Sequence, residues 1–350
     1  MYKFTDNICF LQEPKWFKRC PMKVYLSFDY ELFFGAQSGS ASNCMIEPTQ
    51  QLLAMAEKHG IHLNFFVDSG YLLALEKYSK RYPSVAYEKQ QVYKQLTQLS
   101  EAGHDCQLHI HPHWEDSYYD GNGWKMNTAR YRLDHFSDAQ MQEIITSYFT
   151  VTKEISGKAP IAFRAGGWCL PPWDKVQETF KKLGVWIDST VYENGFIEQE
   201  QVKFDFRTAP QLDQWLFEKD PLVQDSIGYF LELPISSVRL SPIFFWNLYV
   251  RGRLNRSLHK SMGDGVPMAQ PGTKKKVLTS YSQQALSCDG YYASLLVSEF
   301  TKRVKRNDDT MVVIGHPKAQ SVFSIQKLDE FVSTVKGTCT FARYSDLQLN

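Results

Sequence analysis

The chain has 350 residues, of which 43% are hydrophobic and 22% are charged. This length and balance are typical of a soluble globular protein with a sizeable core, arranged as one large α/β domain or two ordinary ones. The net charge is only +1, so charge gives no general reason to expect a nucleic-acid partner or attraction to anionic membranes.

The cysteines and the apolar runs indicate a cytoplasmic protein. The seven cysteines are scattered and form no CxxC pair, a pattern that favours reduced thiols. Charges and a proline interrupt residues 1–20, so we expect no signal peptide. The longest apolar run, Ile243 to Val250, is too short to span a bilayer. A buried strand or helix is favoured for this run, and a membrane-touching patch is the alternative. The basic runs at 251–260 and 274–276 are typical of solvated faces.

Strand-length apolar runs alternate with helical patterns from Met22 onward. The predicted elements, in chain order, are a strand over 23–29, a helix over 47–60 that ends at Gly60, a strand over 61–68, a helix that ends at Gly103, a strand over 106–111, a helix from Ser137 to Gly157, a strand over 161–164, a helix over 172–184 and a strand over 185–188.

The alternation loosens after Asp188 and then returns. A strand is predicted over 229–235, and residues from about 236 to 288 have the Gly, Pro and basic content of a long insertion. A helix near 289–305, strand 311–315, a helix near 324–336 and a last strand around 339–344 follow. The pattern predicts one domain over 1–350, with a parallel sheet that begins near residue 22 and is either a barrel or open and doubly wound.

Polar side chains stand at the ends of five predicted strands. They are Asp29, His109 with His111, Arg164, Asp188 and His316. The carboxyl ends of parallel strands meet on one face, so we expect these groups to lie together. Histidines and carboxylates supply the metal ligands, base and acid that a metal-assisted hydrolysis needs. If the first strand continues to Glu31, its carboxylate shares a face with Asp29.

These stretches resemble the motifs of the NodB-type polysaccharide deacetylases, the family 4 carbohydrate esterases. "SFDYE" corresponds to the family's TFDDG, and "GHDCQLHIHPH" has a glycine six residues before an HxxxH pair, His109 and His113. "FRAGGW", "VWIDST" and "IGH" match the later Arg, Asp and LxH motifs in order. Together with "SFDYELFFG", "QLHIHPHW" and "IGHPK", they resemble the WbmS-like branch linked to surface-polysaccharide loci. Residues 189–310 are unmatched.

The resemblance implies a fold and an activity. The fold is a distorted (β/α) barrel of the polysaccharide deacetylase type, with about seven strands and the long insertion. The activity is metal-dependent removal of an N-acetyl or related acyl group from a sugar of a surface polysaccharide or its precursor. The expected partner is therefore a carbohydrate substrate.

The resemblance also implies roles for single residues. Glu31, His109 and His113 would hold one divalent ion, with Zn²⁺ expected, because Tyr30 stands where the family has its usual ligand Asp. Asp29 would be the base and pair with Arg164. His316 would be the acid, with Asp188 holding its other ring nitrogen. The remaining expected neighbours of the metal or substrate are His111, Tyr30, Trp114 and Trp168.

The spacing of the three histidines needs a turn. A straight strand would separate His109 from His113 by about 13 Å, too far to share one ion. Because Pro112 cannot donate to a central ladder, we expect the strand to end near His111 and the chain to bring His113 back.

Two other functions fit parts of the pattern. HxH at a barrel strand end also resembles the binuclear amidohydrolases, which act on small amides and hold two ions. With Tyr30 at a ligand position, the barrel could instead be an inactive sugar-binding module. The number of metal ions per chain and the presence of turnover distinguish the three.

Overall fold

The computed structural model describes residues 21–268 and 272–349. The interpretation of residues 1–20 as lacking a signal peptide lies outside these ranges. The strands are β1 (Met22–Tyr30), β2 (Asn64–Asp68), β3 (Asp105–Ile110), β4 (Tyr118–Tyr119), β5 (Trp124–Lys125), β6 (Ala162–Ala165), β7 (Ile187–Asp188), β8 (Phe196–Glu198), β9 (Lys203–Asp205), β10 (Trp215–Phe217), β11 (Phe230–Glu232), β12 (Ser237–Leu240), β13 (Ser282–Ala285), β14 (Thr310–Gly315) and β15 (Cys339–Phe341).

The helices lie mostly between the strands. They are α1 (Glu47–His59), α2 (Ser69–Ser79), α3 (Pro83–Glu101), α4 (Asp138–Ser156), α5 (Trp173–Leu183), α6 (Pro242–Leu254), α7 (Arg256–His259), α8 (Thr273–Thr279), α9 (Leu296–Arg306) and α10 (Val322–Val335). A π-helical turn occupies Ser42–Ile46, and short 3-10 turns occupy Pro112–Glu115, Leu133–His135, Gly166–Trp168, Gly290–Leu295, Pro317–Ala319 and Tyr344–Asp346.

One curled sheet forms the centre of the fold. Its strand order is β10-β11-β7-β6-β3-β2-β1-β14, and β15 pairs with the first residues of β1. Every pairing is parallel except β10 with β11. Strands β2, β3, β6 and β14 are buried along their whole length, as expected for parallel strands covered on both faces. The distorted barrel that the family resemblance implied is confirmed.

Irregular backbone bridges the two edges of this sheet. The amide of Ser236, just after β11, donates to the Val312 carbonyl in β14 at 3.0 Å. Leu286 donates to Ser236 at 2.6 Å and accepts from Ile314 at 3.0 Å. These bonds draw β14 toward the β11 side, so the strand ends surround one central space.

Local signals account for most helix boundaries. Ser137 caps α4 in a capping box with Gln140, and Gly157 ends it in the left-handed conformation, as predicted. The single helix expected before Gly103 is instead two helices. Pro83 opens the second one, because proline lacks the amide proton that a helix interior needs.

The segment between β12 and β13 holds α6, α7 and α8, and the two strands pair antiparallel at its base. The aromatic run from Ile243 to Val250 is helical and lies in α6. Across the described part of the chain, no helix combines the length and apolarity that crossing a membrane would require. The five cysteines within the described ranges are free thiols.

Candidate active site

The parallel register places the predicted site residues side by side. Asp68 of β2 is level with His109 of β3, which is level with Arg164 of β6. Asp29 lies near the end of β1, the strand on the other side of β2. His316 directly follows β14 on the far side of β1. Four of the five strand ends that were predicted to meet therefore bring their polar groups to one site.

Arg164 holds Asp29 inside the barrel. The Arg164 side chain is 1% exposed, and its Nη1 donates to Asp29 Oδ1 at 2.6 Å. The other guanidinium nitrogens donate to the Ser189 carbonyl at 2.8 Å and the Ser27 hydroxyl at 2.9 Å. Burial alone would raise the pKa of Asp29, but Arg164, His109 and His316 together lower it. Asp29 is thus held as a carboxylate, and the predicted contact with Arg164 is present.

Glu31, His109 and His111 form a buried cluster with metal-ligand chemistry. One ligand atom from each lies within 4.8 Å of the others. Glu31 Oε2 is 2.7 Å from His111 Nε2 and 3.2 Å from His109 Nε2. Two imidazoles and one carboxylate match the three protein ligands of catalytic zinc sites, which keep a fourth position open.

The hydrogen bonds around His109 also fit a cation. His109 Nδ1 donates to the Arg164 carbonyl at 2.9 Å, an arrangement typical of metal-bound histidines. Burial opposes protonation of the His109 ring, but the carboxylates of Asp29 and Glu31 raise its pKa. A divalent cation between His109 Nε2 and the Glu31 carboxylate would take the place of that proton. The pKa of His111 is lowered to about 4 by burial, which keeps this imidazole neutral, as a ligand must be.

Lys318 is an unpredicted member of the site. Its buried Nζ donates to Glu31 Oε1 at 2.8 Å and to the Leu32 carbonyl at 2.6 Å. Burial would raise the pKa of Glu31, but Lys318 and His111 hold it well below its usual range. Glu31 therefore keeps one oxygen on Lys318 and turns the other toward the histidines.

His113, the predicted third ligand, is not part of this cluster. Pro112 ends the strand as expected, but the turn that follows is a 3-10 turn that packs the His113 ring among aromatic rings. It stacks on Tyr131 at 5.5 Å and meets the edge of Phe34 at 4.5 Å. Neither ring nitrogen has a hydrogen-bond partner among the described residues. His111, expected only near the site, stands in the position given to His113.

Gly166 explains how His111 fits. A Cβ at Gly166 would lie 2.4 Å from His111 Nδ1, closer than packed atoms allow. Only a glycine leaves room for the ring, which accounts for the glycine in "FRAGGW".

His316 is oriented by Asp289, whereas Asp188 was predicted for this contact. His316 Nδ1 donates to Asp289 Oδ2 at 2.7 Å, and the His316 amide donates to Asp289 Oδ1 at 2.8 Å. Burial opposes protonation of the ring, but Asp289 raises the pKa of His316. The opposite ring nitrogen, Nε2, lies 3.7 Å from Asp29 Oδ2 and 3.8 Å from Glu31 Oε1.

Asp188 faces away from the catalytic groups. The next residue, Ser189, supplies the carbonyl and hydroxyl that contact Arg164, and successive strand residues point to opposite faces. Asp188 instead accepts from the Thr190 hydroxyl at 2.7 Å and pairs with Glu232 across β7 and β11. Burial and Asp188 hold the pKa of Glu232 well above its usual range, so the pair shares a proton.

The other predicted neighbours divide into core and cavity residues. Tyr30 is fully buried and donates to Gln95 Oε1 of α3 at 2.7 Å, so it packs in the core, away from the substrate side. Trp114 Nε1 donates to Asp68 Oδ2 at 2.6 Å. Trp168 has a φ of +61°, a strained conformation for a bulky residue, and lines a cavity beside His316.

A cavity of about 740 Å³ opens beside His316. Its walls combine aromatic rings with amide and hydroxyl side chains, several of them from the segment between β12 and β13. The lining residues include Trp168, Tyr192, Phe196, Tyr281, Tyr292, Asn194, Gln283, Gln284, Lys276, Asp289 and His316. Aromatic faces with a few polar groups are typical of a ligand site.

The sequence interpretation missed Lys318, Asp289 and Gly166. Lys318 and Gly166 lie inside the motifs "IGHPK" and "FRAGGW", where the resemblance implied roles only for His316, Arg164 and Trp168. Asp289 is the first residue of the helix predicted near 289–305 and had no motif to mark it.

Comparison with known proteins places the fold. No protein-family model and no curated protein sequence matches this chain. A proposed polysaccharide deacetylase from Mycobacterium smegmatis aligns over 94% of this chain and 92% of its own, at 14% identity and a TM-score of 0.51. Another, from Pseudomonas aeruginosa PAO1, covers 93% and 88% at 12% identity and 0.50. The allantoinase PuuE covers 99% and 96% at 13% identity and 0.50.

These likenesses define the class of protein at the level of its fold. The chain has the fold of the NodB-type polysaccharide deacetylases, and the resemblance found in its motifs is confirmed at that level. The assignment to the WbmS-like branch stays a prediction.

Proposed function

We propose that the protein is a metal-dependent hydrolase that removes an N-acetyl or related acyl group from a sugar of a surface polysaccharide or its precursor. One observation carries the proposal. Asp29, whose carboxylate is bound by the buried Arg164, lies beside the cluster of Glu31, His109 and His111. The deacetylase fold supports the reaction class, and the aromatic cavity supports a carbohydrate substrate.

Glu31, His109 and His111 would hold one divalent ion, with Zn²⁺ expected from the donor set. When bound, the ion would polarise the acyl carbonyl and make water a better nucleophile. Asp29 Oδ2, the oxygen that Arg164 leaves free, takes the proton of the attacking water. His316 Nε2 donates a proton to the departing nitrogen, and Asp289 holds the other ring nitrogen. The cavity beside His316 positions the sugar.

The test joins metal analysis to acetate release. Protein purified without chelator is expected to contain one divalent ion per chain and to release acetate from N-acetylated amino sugars. A chelator should remove activity, and Zn²⁺ should restore it. Asp29→Asn should keep the ion and lower turnover by about 10²–10⁴-fold, which is the usual contribution of a general base to the reaction rate. A metal-free chain without acyl hydrolase activity would refute the proposal.

The same measurements separate the alternatives. Two ions per chain would favour a binuclear amidohydrolase. Among the described residues, one cluster of three or more potential ligands is present, which favours a single ion. Sugar binding without turnover would favour an inactive sugar-binding barrel.

A further inference from the structure

The outer face of α6 is apolar along its whole length. This face consists of Ile243, Trp246, Val250 and Leu254, which are 71%, 56%, 48% and 81% exposed. At 3.6 residues per turn the four side chains span only about 80° of the helix. The opposite side is apolar as well, since Phe245 is buried there. A helix that is apolar on both sides is normally buried, so the outer face of α6 needs a partner.

Positive charge surrounds this face. Residues 233–288 contain eight Lys or Arg and a single acidic residue, Asp264, for a net charge of +7, whereas the rest of the chain carries −6. Arg251 and Arg253 lie about 80° to either side of Ile243 on the helix. Lys274 of α8 sits over the ring of Tyr249 in α6, 5.0 Å from its centre.

We propose that the outer face of α6 docks the protein on an anionic lipid surface. A helix with an exposed apolar stripe, a tryptophan within it and basic residues along its margins is suited to lie in the plane of a membrane interface. Anionic headgroups would neutralise the basic margin while the stripe enters the acyl boundary. A second copy of the chain fits less well, because two segments of charge +7 would then face each other.

The docking surface adjoins the substrate cavity. Trp246 Nε1 donates to the Leu278 carbonyl of α8 at 3.3 Å, and Lys276 and Val277 of the same helix line the cavity beside His316. A docked protein would therefore hold the cavity close to the headgroup layer. If the proposed function is correct, this position favours a lipid-anchored saccharide as substrate; the docking itself does not depend on that function.

Vesicle co-sedimentation of the full-length protein tests the docking without any substrate. Vesicles of phosphatidylcholine and phosphatidylglycerol in equal parts should carry the protein into the pellet. Pure phosphatidylcholine vesicles should carry much less, and high salt should release the protein, because exposed charges are screened. Acetate release is measured separately, so failure of docking and failure of the hydrolase proposal are distinguishable.

Variants on the exposed face locate the contact. Ile243→Gln with Leu254→Gln should abolish pelleting. The triple change Lys274→Gln, Lys275→Gln and Lys276→Gln should weaken it roughly 100-fold, since each cation near an anionic surface contributes about fivefold. Ile227→Gln is the matched control, because Ile227 is 91% exposed outside this segment. It should pellet like the wild type, and circular dichroism should show all variants folded.

Four results would overturn the proposal. The first is no pelleting with anionic vesicles, and the second is equal pelleting with phosphatidylcholine alone. The third is an equal loss of pelleting in the Ile227→Gln control. The fourth is a dimer in solution that Leu254→Gln dissociates and that does not pellet with vesicles, since the face would then bind a second copy.

Discussion

Replacing Asp289 by asparagine should reverse the hydrogen bond to His316 Nδ1, so that His316 can no longer act as the acid. Asp289 Oδ1 accepts from the His316 amide at 2.8 Å and from Gln320 Nε2 at 3.0 Å. With two donors on that side, an asparagine must place its oxygen there and turn its amide nitrogen toward His316 Nδ1. The ring would then have to accept at Nδ1, which excludes the doubly protonated form that acts as the acid.

The size of the effect follows from the lost contact. His316 Nδ1 and Asp289 Oδ2 are 2.7 Å apart, and a hydrogen bond to a charged group contributes about 1.5–3 kcal/mol. At 1.36 kcal/mol per tenfold change, Asp289→Asn should lower acetate-release turnover by about 10–150-fold. Nitrogen-15 NMR of the His316 ring should show the Nε2-protonated tautomer.

Asp188→Asn is the matched control, because the sequence assigned to Asp188 the role that the structure gives to Asp289. It should leave the His316 tautomer and turnover as in the wild type. If Asp188→Asn changed the tautomer and Asp289→Asn did not, the orientation argued from the hydrogen bonds would be wrong.

Three further predictions test the metal cluster and the buried acids. His113→Phe should keep the ion and stabilise the fold by about 1–3 kcal/mol in urea denaturation, since it removes two unpartnered ring nitrogens. His111→Phe should lose the ion, as measured by elemental analysis. Loss of metal from both variants would show that His113 is a ligand. Gly166→Ala should weaken zinc binding by about 10–100-fold, because the new Cβ displaces the His111 ring. The control Gly123→Ala should bind zinc normally, since its Cβ would meet no atom within 4 Å. Equal zinc affinities of the two variants would refute the argument from packing at Gly166. The pKa of Glu232 is raised in the folded state, so the folded chain binds the extra proton. As pH rises above the pKa of the unfolded chain, the free energy of unfolding falls by about 1.4 kcal/mol per pH unit until the folded pKa is reached. In urea denaturation at about pH 6 and about pH 8, Glu232→Gln should lose less stability than the wild type, and equal losses would contradict the raised pKa.

The sequence was sufficient to predict which polar groups end the strands and that most of them lie together on one face of the sheet. Asp29, His109, Arg164 and His316 come together because parallel strands deliver their carboxyl ends to one face. The pairing of Arg164 with Asp29 was implied by the family resemblance, and the observed contact has the opposite charges that such a pair requires.

The predictions that differ from the structure depended on a one-residue choice of face or on a distant loop. Asp188 and Ser189 both stand at the end of β7, and only the direction of each side chain decides which one meets Arg164. Asp289 lies 27 residues before His316, at the start of the helix predicted near 289–305, and no motif links the two positions. The choice between His111 and His113 depended on the turn after Pro112 and on the space at Gly166, which no spacing rule describes.

The change from aspartate to tyrosine in the first motif is consistent with a complete site. Tyr30 points into the core toward Gln95, because it alternates with Asp29 and Glu31 along the strand. Both carboxylates therefore face the site, and each is buried with its own cation, Asp29 with Arg164 and Glu31 with Lys318. An unpaired buried carboxylate would cost several kcal/mol. Lys318 thus lets Glu31 remain ionised in the barrel before any ion binds, while its second oxygen stays directed at His109 and His111.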